Sequence, residues 1–386
     1  MKCSTLLGLC VGALLGVWGC GSDGDPAAVG AQAAGPTGSG GGGASGGTGG
    51  SGAAGGNGGN GGNGGSGGGT GGAGGIGAGI TCNSEAPTGA IHAPPPPAYG
   101  GGTCPALAPG FNTITSSGNA RTFRLVLPAD IDPAEKLPVV FLWHWLGGSA
   151  DDFYERGEVQ AAVDTQRFIA VIPEAKGDIN VFGLELQWPY DTTQSAARME
   201  EEFVFFDDML ACVAEQHVVN NDCVASAGVS AGALFTDQLV GGRGQYLSSI
   251  LSLSGGVGGN LIKPWTQPEH KVPAMVLWGG ETDACFGVMD FVETSQNLET
   301  ALTDGGHFFL ECVHNCGHAQ PPLDVLEGLS AFAALWRFVF DHPYWLAPGD
   351  SPYIQGGIPA MLPTWCGMGT MSATPRTGVC IDPAGC

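Results

Sequence analysis

The chain has 386 residues, and its 36 acidic side chains outnumber its 13 lysines and arginines, which gives a formal net charge of −23. So acidic a chain is not expected to bind nucleic acid or anionic lipid surfaces, because both partners carry the same sign of charge. Thirteen cysteines are too many for a reduced cytosolic enzyme and indicate an oxidising, extracytoplasmic compartment.

The N-terminal region predicts export. Residues 1–19 combine a basic start with an apolar stretch at 6–18, which is typical of a secretory signal and too short to span a membrane. The residues around Cys20 resemble a bacterial lipobox, so we predict that Cys20 is acylated; signal cleavage nearby, which would release a secreted protein, is the alternative. Gly21 argues against retention at an inner membrane, so the expected location is an outer membrane or the cell surface.

Residues 20–81 are dominated by glycine, with alanine, serine, asparagine and threonine. A segment of this composition buries too little surface to offset the entropy lost on ordering, so it predicts a flexible tether. The lipid on Cys20 would then be the only contact with a membrane.

Residues 82–345 predict one α/β domain. The predicted strands cover residues 121–127, 137–145, 168–173, 223–229, 247–253, 275–278 and 308–313. The predicted helices cover residues 158–166, 201–217, 233–240, 288–302 and 323–340. Strands that alternate with helices indicate a mostly parallel sheet with helices on both faces. The segment 346–386 is rich in proline, glycine and cysteine and predicts an irregular, disulfide-pinned extension, with a separate binding module as the alternative.

A Gly-x-Ser-x-Gly pattern at residues 228–232 stands between a predicted strand and a predicted helix. At such a junction this pattern is typical of the nucleophile elbow of α/β-hydrolases. The turn is sharp, so the flanking residues must be small, and it lifts the serine hydroxyl above the sheet. Ser230 is therefore the candidate nucleophile.

In this fold the acid of the triad follows the serine and comes just after a core strand. Asp283 follows the predicted strand 275–278 and a glycine turn, and it is the preferred acid. Glu281 is the second choice, and Asp290 is a weaker one because it falls in the next predicted helix.

The histidine of the triad follows the next strand. His318 is preferred because Gly317 permits a tight turn that brings the imidazole back over the sheet. His314 is the alternative, and His307 starts the strand, at the wrong end of the sheet. Nucleophilic acyl transfer by such a triad needs no cofactor. The spacing of cysteine and histidine over residues 312–318 is not that of a common zinc site, so no metal is predicted.

Residues 141–153 (FLWHWLGGSADDF) look like the His-Gly-x-x-Gly segment of the polyhydroxybutyrate depolymerase and feruloyl esterase group of α/β-hydrolases. The elbow, the acid loop and the Gly-His-x-x-Pro-Pro segment at 317–322 follow in that group's order. The resemblance covers roughly residues 110–343. It implies an exported serine esterase acting on a polyester, or on aryl or acetyl esters of plant polysaccharide, with the backbone N–H groups of Leu146 and Ala231 as the oxyanion hole.

One residue departs from the group's pattern. Trp145 stands where the group usually has glycine, and a bulky side chain beside the oxyanion hole could reshape or block the acyl site. The alternative function is therefore a weakly active or inactive hydrolase-fold protein that binds at the cell surface.

Two disulfide pairings are hypothesised from the positions of the cysteines. A bridge between Cys285 and Cys316 would tie the acid loop to the histidine loop, because each cysteine is two residues from a candidate triad residue. A bridge between Cys212 and Cys223 would join a helix to the elbow strand.

Overall fold

A computed structural model describes residues 80–181 and 183–380 of the protein. The predicted signal peptide, the predicted acylation site at Cys20 and all but the end of the predicted tether lie outside these residues. No helix within the described ranges is long and apolar enough to cross a membrane.

The described residues form thirteen strands and seven α-helices. The strands are β1 (Gly110–Ser116), β2 (Asn119–Val126), β3 (Leu137–Trp143), β4 (Ile169–Pro173), β5 (Ile179–Val181), β6 (Leu184–Leu186), β7 (Val219–Val229), β8 (Ser249–Leu253), β9 (Ala274–Trp278), β10 (Ala284–Cys285), β11 (Met289–Asp290), β12 (Phe309–Val313) and β13 (Cys366–Met368). The helices are α1 (Ala150–Arg156), α2 (Val159–Gln166), α3 (Ala196–Gln216), α4 (Ala231–Arg243), α5 (Phe291–Gly305), α6 (Ala333–Phe340) and α7 (Pro352–Gly356).

Nine of these strands form one sheet, in the order β1-β2-β4-β3-β7-β8-β9-β12-β13. The strands from β4 to β12 in that order all run parallel. The strands β1 and β2 at one end and β13 at the other pair antiparallel. Because parallel strands end at the same edge, the loops after β7, β8, β9 and β12 meet there, and these loops carry the candidate site.

The central strand β3 shows why helices cover both faces of the sheet. All seven of its residues are buried, and successive side chains point to opposite faces. Phe141 packs in a core cluster with residues of α3, α4 and α5, and Leu142 packs in a second cluster with residues of α1, α2 and α6. A strand that is apolar at every position is the expected pattern for a sheet covered on both sides. The predicted fold class is confirmed.

The C-terminal segment takes part in the sheet. Strand β13 extends the sheet beyond β12, and its first residue, Cys366, lies opposite Cys312 and is disulfide-bonded to it. The predicted helix 323–340 is shorter than expected, because α6 begins only at Ala333. The residues before it form turns, in which Gly328 has a φ of 78° that does not belong to a right-handed helix.

Both hypothesised disulfide pairings are wrong, although all four cysteines are disulfide-bonded. Cys316 is bonded to Cys380, so it does not pair with Cys285. The remaining two cysteines pair with N-terminal partners, as Cys104–Cys212 and Cys82–Cys223.

Contacts of residues 82–105, called the N-terminal segment below, explain the pairings of Cys82 and Cys104. At the end of α3 the Gln216 side chain donates a hydrogen bond of 2.9 Å to the carbonyl of Pro105, and in β7 the Asn220 side chain donates one of 2.8 Å to the carbonyl of Cys82. These contacts bring cysteines together that are more than 100 residues apart in sequence.

Candidate active site

Ser230 stands at a sharp turn between the last residue of β7 and the first residue of α4. Its backbone has φ 55° and ψ −119°, a conformation that non-glycine residues rarely adopt. A Cβ on Gly228 would lie 2.1 Å from the carbonyl oxygen of Gly232, and a Cβ on Gly232 would lie 2.0 Å from that of Trp143. Both positions therefore need glycine, which is the physical reason for the Gly-x-Ser-x-Gly pattern.

The side chains of Ser230, His318 and Asp283 form a continuous line of hydrogen bonds. Nε2 of His318 is 2.9 Å from the hydroxyl oxygen of Ser230, and Nδ1 is 2.7 Å from Oδ1 of Asp283. Because a carboxylate can only accept, Nδ1 carries the proton in the neutral ring and Nε2 is free to accept from the serine. The three preferred residues from the sequence thus meet at hydrogen-bonding distance.

Asp283 is fully buried behind the imidazole. Its second oxygen, Oδ2, accepts a hydrogen bond of 2.8 Å from the hydroxyl of Ser254 and one of 2.7 Å from the backbone N–H of Gly279. These two donors fix the carboxylate and compensate for its burial. Sequence reasoning missed Ser254. Its signal was its position directly after β8, at the same edge of the sheet as the residues that follow β9.

The loop that carries His318 is held from three sides. Gly317 has a φ of 67°, and its N–H donates to the carbonyl of Gly279 at 3.0 Å. The bond between Cys316 and Cys380 ties the loop to the C-terminal segment. The ring of Phe291 stacks on the imidazole, with centroids 4.2 Å apart. The turn predicted at Gly317 is therefore present, and the stacking fixes the plane of the ring.

The alternative acids and histidines occupy other places. Glu281 is exposed, and Asp290 caps α5 by accepting from the N–H of Glu293. His307 contacts the carbonyl of Val272 through Nδ1.

His314 is buried beside the site but does not reach the serine. Its Nδ1 accepts a hydrogen bond from the N–H of Cys316 at 3.2 Å. Burial lowers the pKa of His314 to about 4, so its imidazole is neutral at physiological pH.

The two candidate oxyanion donors come from different parts of the chain. Ala231 is the first residue of α4, where backbone N–H groups have no partner inside the helix. Leu146 follows β3, and both residues line the same cavity as Ser230. The indole of Trp145 lies against Phe153, with ring centroids 6.0 Å apart, and the guanidinium of Arg156 lies 5.3 Å from it. The indole thus packs onto α1.

A cavity of about 840 Å³ opens over the Ser230 hydroxyl and His318. Apolar side chains dominate its lining and come from both faces of the sheet, so the cavity passes across the carboxyl edge of the strands. Its apolar lining includes Leu186, Leu234, Leu253, Leu261, Ile262, Leu277, Phe332, Leu335 and Trp336. A cavity of this volume is large enough for an organic substrate of drug-like size. Among the described residues no group of three or more His, Cys, Asp or Glu is arranged to hold a metal ion.

Comparisons with known proteins bear on the fold. No model of a protein family matches this sequence, and no curated protein sequence matches it significantly. A variant of the protein pOPH in complex with DMSO is 16% identical, covers 71% of this chain and 98% of its own, and gives a TM-score of 0.55. Native sOPH is 16% identical with a TM-score of 0.54, over 72% of this chain and 99% of its own.

Native pOPH is 18% identical with a TM-score of 0.52, over 72% of this chain and 98% of its own. At such low identities the likeness concerns the fold alone. Together with the strand order and the position of the elbow, it establishes that this protein has an α/β-hydrolase fold.

Proposed function

We propose that this protein is a serine hydrolase that cleaves carboxylic esters through an acyl-enzyme. The observation that carries the proposal is the hydrogen-bonded line from Ser230 through His318 to Asp283, with heavy-atom distances of 2.9 and 2.7 Å. A nucleophile, a base and an orienting carboxylate within hydrogen-bond reach of one another are the arrangement expected for nucleophilic acyl transfer. The largely apolar cavity over the serine suits an uncharged ester.

In the first half of the reaction, Ser230 Oγ attacks the acyl carbon and gives its proton to Nε2 of His318. Asp283 keeps the proton on Nδ1 and stabilises the imidazolium that forms. The backbone N–H groups of Leu146 and Ala231 donate to the oxyanion of the tetrahedral intermediate. When the intermediate collapses, His318 gives the proton to the leaving alcohol, and the acyl group stays on Ser230.

In the second half, water attacks the acyl-enzyme. Its proton passes to Nε2 of His318, and the collapse of the second intermediate returns that proton to Ser230 Oγ as the carboxylic acid leaves. No cofactor enters either half. The substrate class implied by the sequence resemblance, a polyester or an aryl or acetyl ester of polysaccharide, belongs to this proposal.

A burst experiment tests the acyl-enzyme. With p-nitrophenyl acetate, we expect a burst of p-nitrophenol equal to the enzyme concentration, followed by slower turnover. The Ser230→Ala variant is expected to lose both phases. Ser351→Ala is the matched control, because the Ser351 hydroxyl also contacts a histidine, at 2.7 Å from Nε2 of His342, but both side chains are buried away from the cavity. A control that loses the burst, or a Ser230→Ala variant that keeps it, contradicts the proposal, and an inert wild type favours the binding-protein alternative.

We also propose that the protein is exported and anchored through lipid on Cys20. Four described disulfides support an oxidising compartment, and the residues around Cys20 resemble a lipobox. Growth with radiolabelled palmitate is expected to label the wild type and not Cys20→Ala. Equal labelling of the two, or a wild type that stays unlabelled in a secreted form, contradicts the anchor.

A further inference from the structure

Trp145, the residue that departs from the pattern of the esterase group, stands on a backbone that hydrogen bonds hold in place. It comes two residues after the end of β3. The indole N–H of Trp188 donates to the carbonyl of His144, just before it, at 2.9 Å. The N–H of Gly148 donates to the carbonyl of Trp145 itself at 3.0 Å. The point from which the Trp145 side chain enters the cavity wall is therefore fixed.

The indole of Trp145 is anchored on α1 and on the turn that precedes this helix. Its ring centroid lies 6.0 Å from that of Phe153, and a Cβ on Gly148 would lie 3.0 Å from two of its atoms. The guanidinium of Arg156, an exposed residue, lies 5.3 Å from the ring. The cavity keeps its volume of about 840 Å³ with the indole in this position. Trp145 thus shapes one wall of the cavity and does not fill it.

Two further apolar side chains stand on the same side of the sheet as Trp145. Leu323 and Phe332 line the cavity and, like Trp145, pack against the core cluster that includes residues of α1, α2 and α6. All three side chains are partly exposed, so they keep surface that a bound molecule can cover. We call Trp145, Leu323 and Phe332 the Trp145 wall. It presents an apolar surface to a substrate held at Ser230.

The size of the cavity indicates a substrate with more than a small acyl group. Its volume lies in the upper part of the range found for pockets that bind drug-sized molecules, and an acetyl group would occupy little of it. Apolar walls that stay in contact with water contribute nothing to binding. Each methylene group that covers such a wall strengthens binding by up to about fourfold. An unbranched alkyl chain is the simplest ligand that gains from the Trp145 wall.

We propose that the Trp145 wall is a subsite for an alkyl chain of the ester substrate, and that Trp145 is its specificity-determining residue. The substrate is then an uncharged ester whose acyl or alcohol part carries a medium-length or long unbranched alkyl chain. This inference rests on the proposed function. It assigns a role to the tryptophan that replaces the usual glycine beside the oxyanion hole, because the indole supplies apolar surface that glycine cannot supply.

The test compares matched ester pairs with the full-length protein. The acyl-side pair is p-nitrophenyl acetate and p-nitrophenyl hexanoate, and the alcohol-side pair is ethyl butanoate and hexyl butanoate, all used below their solubility limits. For the wild type we expect kcat/KM to favour the longer member of at least one pair by about tenfold or more. Trp145→Ala is expected to lower that ratio by about fivefold or more. The ratio cancels any effect of the substitution on the oxyanion hole, because the same hole serves both members of a pair.

Two further variants keep the test decisive. Trp265→Ala is the matched control, because Trp265 is also partly exposed but packs on His307, with centroids 5.8 Å apart, and does not line the cavity. It is expected to keep the wild-type ratio. Leu323→Ser makes the same wall more polar from a different loop, so it tests the subsite even if Trp145→Ala does not fold. It is expected to lower the ratio several-fold.

The two proposals fail in different ways. A wild type that hydrolyses esters without preferring the longer member of either pair overturns the subsite alone. A Trp145→Ala variant with a higher ratio than the wild type also overturns it, because the indole would then obstruct the chain. An unchanged ratio in both Trp145→Ala and Leu323→Ser has the same meaning. A wild type that hydrolyses no ester and shows no burst overturns the proposed function, and this inference falls with it.

Discussion

The hydroxyl of Ser254 donates a hydrogen bond of 2.8 Å to Oδ2 of Asp283, the carboxylate oxygen opposite the one that His318 contacts. Ser254 follows β8 and Asp283 follows β9, so the bond joins the ends of two adjacent parallel strands. It holds the carboxylate in the orientation that lets Oδ1 face the imidazole. Ser254 is thus a positioning residue that acts through Asp283.

From this relationship we predict that Ser254→Ala lowers kcat for p-nitrophenyl acetate by about tenfold, because one hydrogen bond to a buried charge is lost. KM should change less than kcat, because the lost hydrogen bond acts on Asp283, although Ser254 also lines the cavity. An unchanged kcat in the alanine variant, or a loss that appears in KM alone, contradicts the role of Ser254 in positioning.

Gly232 and Gly356 provide a matched test of the elbow. Gly232→Ala is expected to lower the free energy of unfolding by about 3 kcal/mol, because its Cβ would lie 2.0 Å from the Trp143 carbonyl oxygen. Gly356 ends α7, and its Cβ would meet nothing within 4 Å. Gly356→Ala is therefore expected to change stability by less than about 1 kcal/mol. Urea unfolding followed by circular dichroism measures both values, and equal effects of the two substitutions would contradict the account of the turn.

We expect the free energy of unfolding to depend on pH through the buried carboxyl of Asp237. Burial in α4 raises the pKa of this carboxyl to about 7, from 3.8, although Ser252 and the N–H of Gly256 donate to Oδ2. The folded state therefore holds a proton that the unfolded state releases above about pH 4. The contribution of protonated Asp237 to the stability of the folded state is therefore complete below pH 3.8, and it is lost as the pH rises through about 7.

The measurement is the difference in unfolding free energy between the wild type and Asp237→Asn, taken at intervals from pH 4 to pH 8. We expect this difference to shift in favour of the variant by about 2–4 kcal/mol over that range, because asparagine does not titrate. A difference that stays constant with pH would show that Asp237 is already ionised at pH 4 in the folded protein.

The bond between Cys316 and Cys380 should matter for activity as well as stability. Replacing both cysteines by alanine is expected to cost about 2–4 kcal/mol of stability and to lower kcat several-fold, because Cys316 is two residues from His318. The corresponding replacement of Cys104 and Cys212, whose bond joins the N-terminal segment to α3, should cost a similar stability with kcat unchanged. Thermal unfolding and p-nitrophenyl acetate hydrolysis distinguish the two pairs, and the same kcat loss in both contradicts a local effect on the histidine loop.

The parts of the site that the sequence predicted are those encoded by local patterns at the ends of strands. Ser230 is marked by its glycines, whose Cβ atoms would overlap the backbone, and Asp283 and His318 each follow an apolar strand and a glycine turn. Because parallel strands deliver their carboxyl ends to one edge, these local patterns are sufficient to bring the three side chains together.

The features that the sequence did not reveal depend on contacts between distant segments. The partner of Cys316 is 64 residues away, and Cys82 pairs with Cys223 across 141 residues. No local pattern encodes such distances. The three-residue strand β13 was missed for the same reason, since it is a strand only through its pairing with β12.

An activated Ser230 nucleophile is expected to react covalently with a fluorophosphonate. The full-length protein would be treated with the probe at neutral pH, digested, and mapped by mass spectrometry. We expect one adduct, on Ser230. It should be absent from Ser230→Ala and should form much more slowly in Asp283→Asn, because that substitution disturbs the tautomer of His318. A well-folded wild type without an adduct, or with the adduct on another serine, would contradict a nucleophilic role for Ser230.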